Sequence, residues 1–164
     1  MTRGTTSRQY LLQLNIIYGA QVFTLITFGL IGFTLRPKEN PDPEFSTILH
    51  YALAALLVLS LFGAHFIFKL VINSVDHALP LRNKLQKFLT AMLIRAAFLE
   101  VSGLFSGVVM LLTGSTIPLM VLALVILLFY FFRPTISQLV QELKLTVQEK
   151  TLLENPDTEL LSKE

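Results

Sequence analysis

Leu85-Gln-Lys-Phe-Leu-Thr-Ala-Met-Leu-Ile-Arg-Ala-Ala-Phe-Leu-Glu-Val-Ser-Gly-Leu-Phe-Ser-Gly-Val-Val-Met-Leu-Leu-Thr113 is an apolar run interrupted, inward of Lys87, by only two ionisable residues, Arg95 and Glu100. A hydrocarbon core of about 30 Å needs roughly 20 mostly apolar residues at about 1.5 Å each. This stretch meets that length, and three neighbours resemble it: Leu11 to Leu35, Phe45 to Asn73 and Thr116 to Phe132. The expected fold is an all-α membrane protein, an up-down bundle of four transmembrane helices followed by a short cytoplasmic helical hairpin.

Composition agrees. Of 164 residues 53% are hydrophobic and 15% charged, and the mean hydropathy is +0.65, too apolar for an ordinary soluble domain. The net charge of +2 comes from 13 Lys and Arg against 11 Asp and Glu. The cations sit near the ends of apolar runs rather than in one patch, which argues against nucleic-acid binding. With no cysteine, disulfides, thiolate metal sites and cysteine nucleophiles are excluded. The run following Arg3 and Arg8 is too long for a signal-peptide core and reads as a retained helix.

The connections are legible as well. Arg36-Pro-Lys-Glu-Asn-Pro-Asp-Pro-Glu44 cannot continue a helix and reads as a solvated loop. Ser74 to Arg82 forms the second connection, with Pro80 in the first turn of the next helix. Gly114-Ser115 forms the third, with Ser115 or Thr116 as N-cap and Pro118 in the first turn. Arg3, Arg8, Lys69, Arg82, Lys84, Lys87 and Arg133 flank one side. The other side has only Arg36 and Lys38, beside Glu39, Asp42 and Glu44. The positive-inside rule therefore places both termini in the cytoplasm. Residues 1–133 form the membrane bundle in this reading, and residues 134–164 a cytoplasmic amphipathic tail. In the tail Ile136, Leu139, Val140 and Leu143 recur at helical spacing, Thr146-Val-Gln-Glu149 reads as a capping box, and the chain after Pro156 reads as frayed.

Leu85 to Ala91, Ile94 to Glu100, Leu111-Leu-Thr-Gly114, Phe132-Arg-Pro-Thr135 and Leu143-Lys-Leu-Thr146 together resemble a group of uncharacterised small four-helix bacterial inner-membrane proteins. The likeness covers the last half of the chain. It implies the four-helix topology and a multi-pass location in the bacterial inner (plasma) membrane, and no activity. The mid-helix carboxyl Glu100 followed by Gly103-Leu-Phe-Ser-Gly107 is similar to the outer helix of rotary ATPase proteolipid subunits. That likeness implies an ion-carrying role for Glu100, although Gly19, Gly29 and Gly32 on the first helix lack those proteins' glycine spacing.

Ionisable groups at membrane depth are costly, so Arg95 and Glu100 are the first candidates for function. Five positions turn a helix by about 140°, which sends the two side chains to different faces. Arg95 reads as snorkelling towards the cytoplasmic end or meeting a headgroup, with an ion path as the alternative. Glu100 shares a stripe with Ala96, Gly103 and Gly107, where small side chains admit a neighbouring helix. It reads either as a hydrogen-bonded tie between helices or as a proton or cation site. Depth along the helices suggests His65, Gln21 and Thr24 as its partners, in a polar interior shared by the first three helices. His65, Lys69 and Asn73 form a polar stripe on the second helix.

His50, His65 and His77 lack the spacing of a helical metal pair, and no phosphate-binding glycine loop or nucleophile elbow is present. No cofactor, metal or enzymatic role is expected. The 13 Phe residues read as packing and lipid contact. The leading expectation is a non-enzymatic subunit or scaffold in the lipid bilayer, packing as a homo-oligomer or with other membrane subunits. The alternative is a proton- or cation-handling protein using Glu100 with His65.

Overall fold

The computed structural model describes residues 5–38, 42–76, 78–155 and 159–161. Arg3, Glu39 and His77, singled out above, lie outside the described residues. Regular structure is almost wholly helical: α1 (Ser7–Leu35), α2 (Pro43–Asn73), α3 (Leu81–Thr113), α4 (Pro118–Phe131), α5 (Ile136–Glu142) and α6 (Val147–Glu154). A pair of very short strands, β1 (Thr5–Thr6) and β2 (Glu159–Leu161), runs antiparallel with Thr5 opposite Leu161 and Thr6 opposite Glu159. The expected fraying after Pro156 is thus corrected at residues 159–161, which pair with the start of the chain.

Three helices, α1, α2 and α3, are long and apolar enough to cross a membrane. The expected fourth span from Thr116 to Phe132 is shorter than read, because α4 has only 14 residues, about 21 Å of rise. It passes into α5 through a break with a bend of 78°. The cause is local: Pro134 has no N–H for helix continuation, and the Thr135 side chain restarts the backbone by accepting from Gln138 N at 3.3 Å.

Each long helix starts earlier than its apolar run, because polar caps precede the hydrophobic residues. Thr6 opens α1 with a capping box in which Gln9 N donates to Thr6 Oγ1 at 3.3 Å and Thr6 N to Gln9 Oε1 at 3.1 Å. Asp42 caps α2 by accepting from Glu44 N at 3.0 Å. Pro80 precedes α3, and Gly114 ends it at φ 67, a left-handed conformation that glycine adopts without steric penalty. Ile117, rather than Ser115 or Thr116, occupies the N-cap of α4, although Ser115 Oγ accepts from Ile117 N at 3.2 Å.

The third helix is the hub. Half of its most apolar window is buried, against 22% for α1 and for α2. Tyr10 of α1 donates to Leu85 O at 2.7 Å and Tyr18 to Met92 O at 3.3 Å, so α1 and α3 run in the same direction. Phe68 of α2 meets the Phe88 ring edge-on, with centroids 6.3 Å apart, while Gly63 lies against Phe98, so α2 runs opposite to α3. Leu122 abuts Gly29, and the Phe129 ring meets Tyr18 at 5.6 Å, which makes α4 antiparallel to α1.

The tail closes one end of this assembly. Leu139, Leu143 and Leu153 are almost fully buried and belong to the same apolar cluster as Tyr10, Val75, Leu85 and Phe88. Between α5 and α6, Leu145 N donates to Val140 O at 3.2 Å around Lys144 at φ 46. This is a Schellman ending with lysine where glycine is usual. The Thr146–Glu149 capping box then opens α6 as its sequence suggests.

Candidate functional site

The small-residue stripe of α3 faces protein. Ala96 is fully buried, and a Cβ added to Gly103 would stand 2.6 Å from Leu25 Cδ2 and 3.3 Å from Val125 Cγ1. One added to Gly107 would stand 2.6 Å from Phe28 Cδ1. At Gly32 the backbone of α1 comes close to that of α3, since an added Cβ would meet the carbonyl oxygen of Gly107 at 2.8 Å. Gly29 and Gly32, unsuited to the proteolipid pattern, are therefore the helix-contact glycines of α1.

Along the same seam, Gln21 Nε2 of α1 donates to Glu100 Oε2 of α3 at 3.4 Å. Both residues are half-buried. The bond is long, and the other oxygen of the same amide, Gln21 Oε1, is buried without a donor. Gln21 falls between Tyr18 and Leu25, three and four positions away on the buried stripe of α1, so helical spacing aims it at α3.

The other expected partners are elsewhere. Thr24 precedes the buried Leu25 by one position, is exposed, and donates to Ala20 O at 3.0 Å within its own helix. His65 does not meet Glu100. The buried stripe of α2 is Leu53, Ser60, Ala64, Phe68 and Ile72, and His65, one residue past Ala64, is turned about 100° away and exposed. The polar interior expected among three helices is thus a single α1–α3 contact at this level, with α2 closing on α3 through apolar side chains.

Arg95 lies against rings instead of snorkelling. Its residue is 4% exposed, its guanidinium carbon is 3.3 Å from the centroid of Phe68 and 4.8 Å from that of Phe132, and Nη1 is buried without a hydrogen-bond partner. The negative faces of the rings attract the guanidinium, and Tyr18 and the Glu142 carboxylate act on it electrostatically as well. Phe68 from α2 and Phe132 from the end of α4 flank the guanidinium, which is buried rather than held in water as a snorkelling side chain would be.

Two ion pairs, unforeseen in the sequence, fasten the tail below this level. Lys69 Nζ of α2 contacts Glu142 at 2.8 and 3.0 Å. Lys84 Nζ of α3 contacts Glu149 Oε1 at 2.7 Å, with the lysine side chain only 3% exposed. Burial pushes the Glu149 carboxyl up, but hydrogen bonds from Lys84 and from Thr146 outweigh that effect and hold it below the ordinary carboxylate range. The available clue was complementary charge, cationic helix ends at Lys69 and Lys84 and acids on a short amphipathic tail. Asn73, the third member of the proposed α2 stripe, is exposed.

These contacts bring Gln21 and Glu100 together, keep Ala96, Gly103 and Gly107 in one packed seam, and isolate Arg95, Thr24 and His65 from that pair. Chemically, the arrangement can hold helices in register and bury a cation against aromatic rings. Comparison with protein-family models, with curated proteins and with solved structures finds no match.

Proposed function

We propose that the chain is a non-enzymatic integral protein of the bacterial inner membrane, a subunit or scaffold that packs with other membrane chains or with further copies of itself. In this reading it crosses the bilayer four times, up and down, with α4 and its flanking turns as the last crossing. Both termini are cytoplasmic. The cationic residues Arg8, Lys69, Lys84, Lys87 and Arg133 support that orientation by the positive-inside rule, as does the pairing of the first and last described segments at one end. Labelling of an Asn155→Cys variant by an impermeant thiol reagent from the outside would contradict it.

The observation that carries the role is the Gln21–Glu100 contact, which joins α1 to α3 in register with Leu25 against Gly103. The mid-membrane carboxyl acts as a clasp between two helices. Phe23, Tyr51, Leu59, Phe62 and Phe66 remain exposed on α1 and α2, leaving wide apolar faces for lipid and for neighbouring chains. Crosslinking with mass spectrometry from native membranes tests the role: reproducible crosslinks to a membrane chain or a second copy are expected, and a chain crosslinked to neither would refute it.

A second reading, proton or cation handling at Glu100, is favoured by the donorless Gln21 Oε1 on the amide that reaches it. Glu100→Gln separates the two. A clasp keeps its fold and its crosslinks with the amide, whereas an ion carrier loses a pH-dependent flux in proteoliposomes, since an amide does not exchange protons in this range.

A further inference from the structure

Outside the Gly29–Leu122 and Tyr18–Phe129 contacts, the seam between α1 and α4 is left as an open groove. Two consecutive hollows of about 310 and 300 Å³ occupy the seam and share Ile126. The first is bounded by Gly19 and Val22 of α1, by Phe129 and Tyr130 of α4, and at one end by Asn15 and Arg133. The second continues past Gly29 and Leu122 and has an almost wholly apolar lining. The slot is thus polar at one end only. Arg133 is held at that end by its contact with Tyr130, the guanidinium carbon 5.1 Å from the ring centroid.

We propose that this slot binds one acyl chain of an anionic phospholipid, with Arg133 taking the phosphate. Shape and charge both select that occupant. The groove is long, narrow and apolar except at the Arg133 end, so a single methylene chain can lie along it with its headgroup at that end. One leaflet is half of a core of about 30 Å, so a chain starting at the level of Asn15 runs about 15 Å, or ten helical residues, to the level of Leu25. That is the extent of the first hollow and the start of the second. The charge-assisted pairing of guanidinium with phosphate oxygens fixes the headgroup.

Gly19 supplies a clean probe, because a Cβ added there meets no atom within 4 Å. Gly19→Leu projects into the slot without pressing on the packed faces of the bundle, and leucine favours a helix more than glycine does. The experiment is native mass spectrometry of the purified full chain equilibrated with phosphatidylglycerol or with phosphatidylcholine of the same acyl chains, alongside thermal unfolding in detergent. The wild-type chain is expected to retain phosphatidylglycerol at least fivefold better than phosphatidylcholine. Gly19→Leu should lose that retention at least fivefold with no loss of melting temperature in lipid-free detergent. Arg133→Gln should bring phosphatidylglycerol down to the phosphatidylcholine level. Equal retention of the two lipids by the wild type, or undiminished retention by Gly19→Leu, would overturn the proposal. So would a dimer that Gly19→Leu dissociates, since a second copy would then cover the seam.

Discussion

Lys84 Nζ and Glu149 Oε1 stand 2.7 Å apart across 65 residues of chain, joining the first turns of α3 to the second tail helix. The other carboxylate oxygen, Glu149 Oε2, accepts from Thr146 N at 2.9 Å. One side chain therefore both starts α6 and docks it. Removing the carboxylate strands an ammonium that is 3% exposed, so Glu149→Ala should destabilise the chain by about 3 kcal/mol. Replacing both partners with Met should cost much less. Chemical or thermal unfolding of the wild type, Glu149→Ala and the double Met variant measures the difference.

The same pair sets a pH dependence. The folded-state pKa of Glu149 is depressed, so its contribution to stability is fully present above the ordinary Glu value of about 4.3 and is lost as pH falls through the lower folded value. Melting curves taken downwards from pH 6 should show the tail loosening only below about pH 4, and Glu149→Gln should flatten that decline.

Gly32 and Gly103 predict unequal responses to one added methyl. At Gly32 the new carbon meets a backbone carbonyl, that of Gly107, at 2.8 Å, so the helices must separate. Gly32→Ala should cost about 1–3 kcal/mol in overpacking. At Gly103 the nearest atom, 2.6 Å away, is the tip of the Leu25 side chain, which can rotate. The helix-propensity gain of about 1 kcal/mol should leave Gly103→Ala near neutral. Equal losses in thermal stability would show that Leu25 yields no more readily than the Gly107 carbonyl.

Arg95 is buried against Phe68 and Phe132 with Nη1 unpaired. Arg95→Met preserves much of the length and removes a desolvated charge, so it should be neutral or stabilising. Arg95→Ala leaves a cavity and should cost about 2 kcal/mol or more. A loss with Met as large as that with Ala would mean that the charge, and not the volume, is what the site requires.

Lys144 adopts φ 46, where a β-carbon is crowded, and its side chain is exposed. Lys144→Gly should stabilise the tail by about 1 kcal/mol, whereas Lys144→Val should destabilise it. Hydrogen exchange of the α5 and α6 amides is the appropriate readout, because it resolves local opening that global melting averages.

The long helices were legible because hydropathy and length act locally: the runs around Leu11, Phe45 and Leu85 each become a helix. The starts of α1 and α2 were harder to read, since Thr6 and Asp42 act through cap geometry before the apolar pattern begins, whereas Pro80 marked the start of α3 to within a residue. Gln21 with Glu100 was legible from depth, a quantity that counting residues supplies. His65 failed the same test because depth says nothing about rotation, and its neighbour Ala64 holds the buried position. The rings around Arg95 come from segments far away in the chain, and no periodicity links Phe68 or Phe132 to position 95. The end of α4 was read to within a residue, and its shortness arises at the start, where the turn through Ser115 and Ile117 delays the helix to Pro118.

The strand pairing of Thr5–Thr6 with Glu159–Leu161 and the hydrogen bond from Ser7 Oγ to Asn155 O at 3.0 Å impose an order on biosynthesis. Ser7 has its partner 148 residues further along the chain, so this latch forms only after α1 to α6 have been synthesised. A chain cut short before residue 155 would retain the sequence of all six helices but leave the entrance to α1 unfastened. Synthesis of residues 155–161 is then the event that fastens the start of α1.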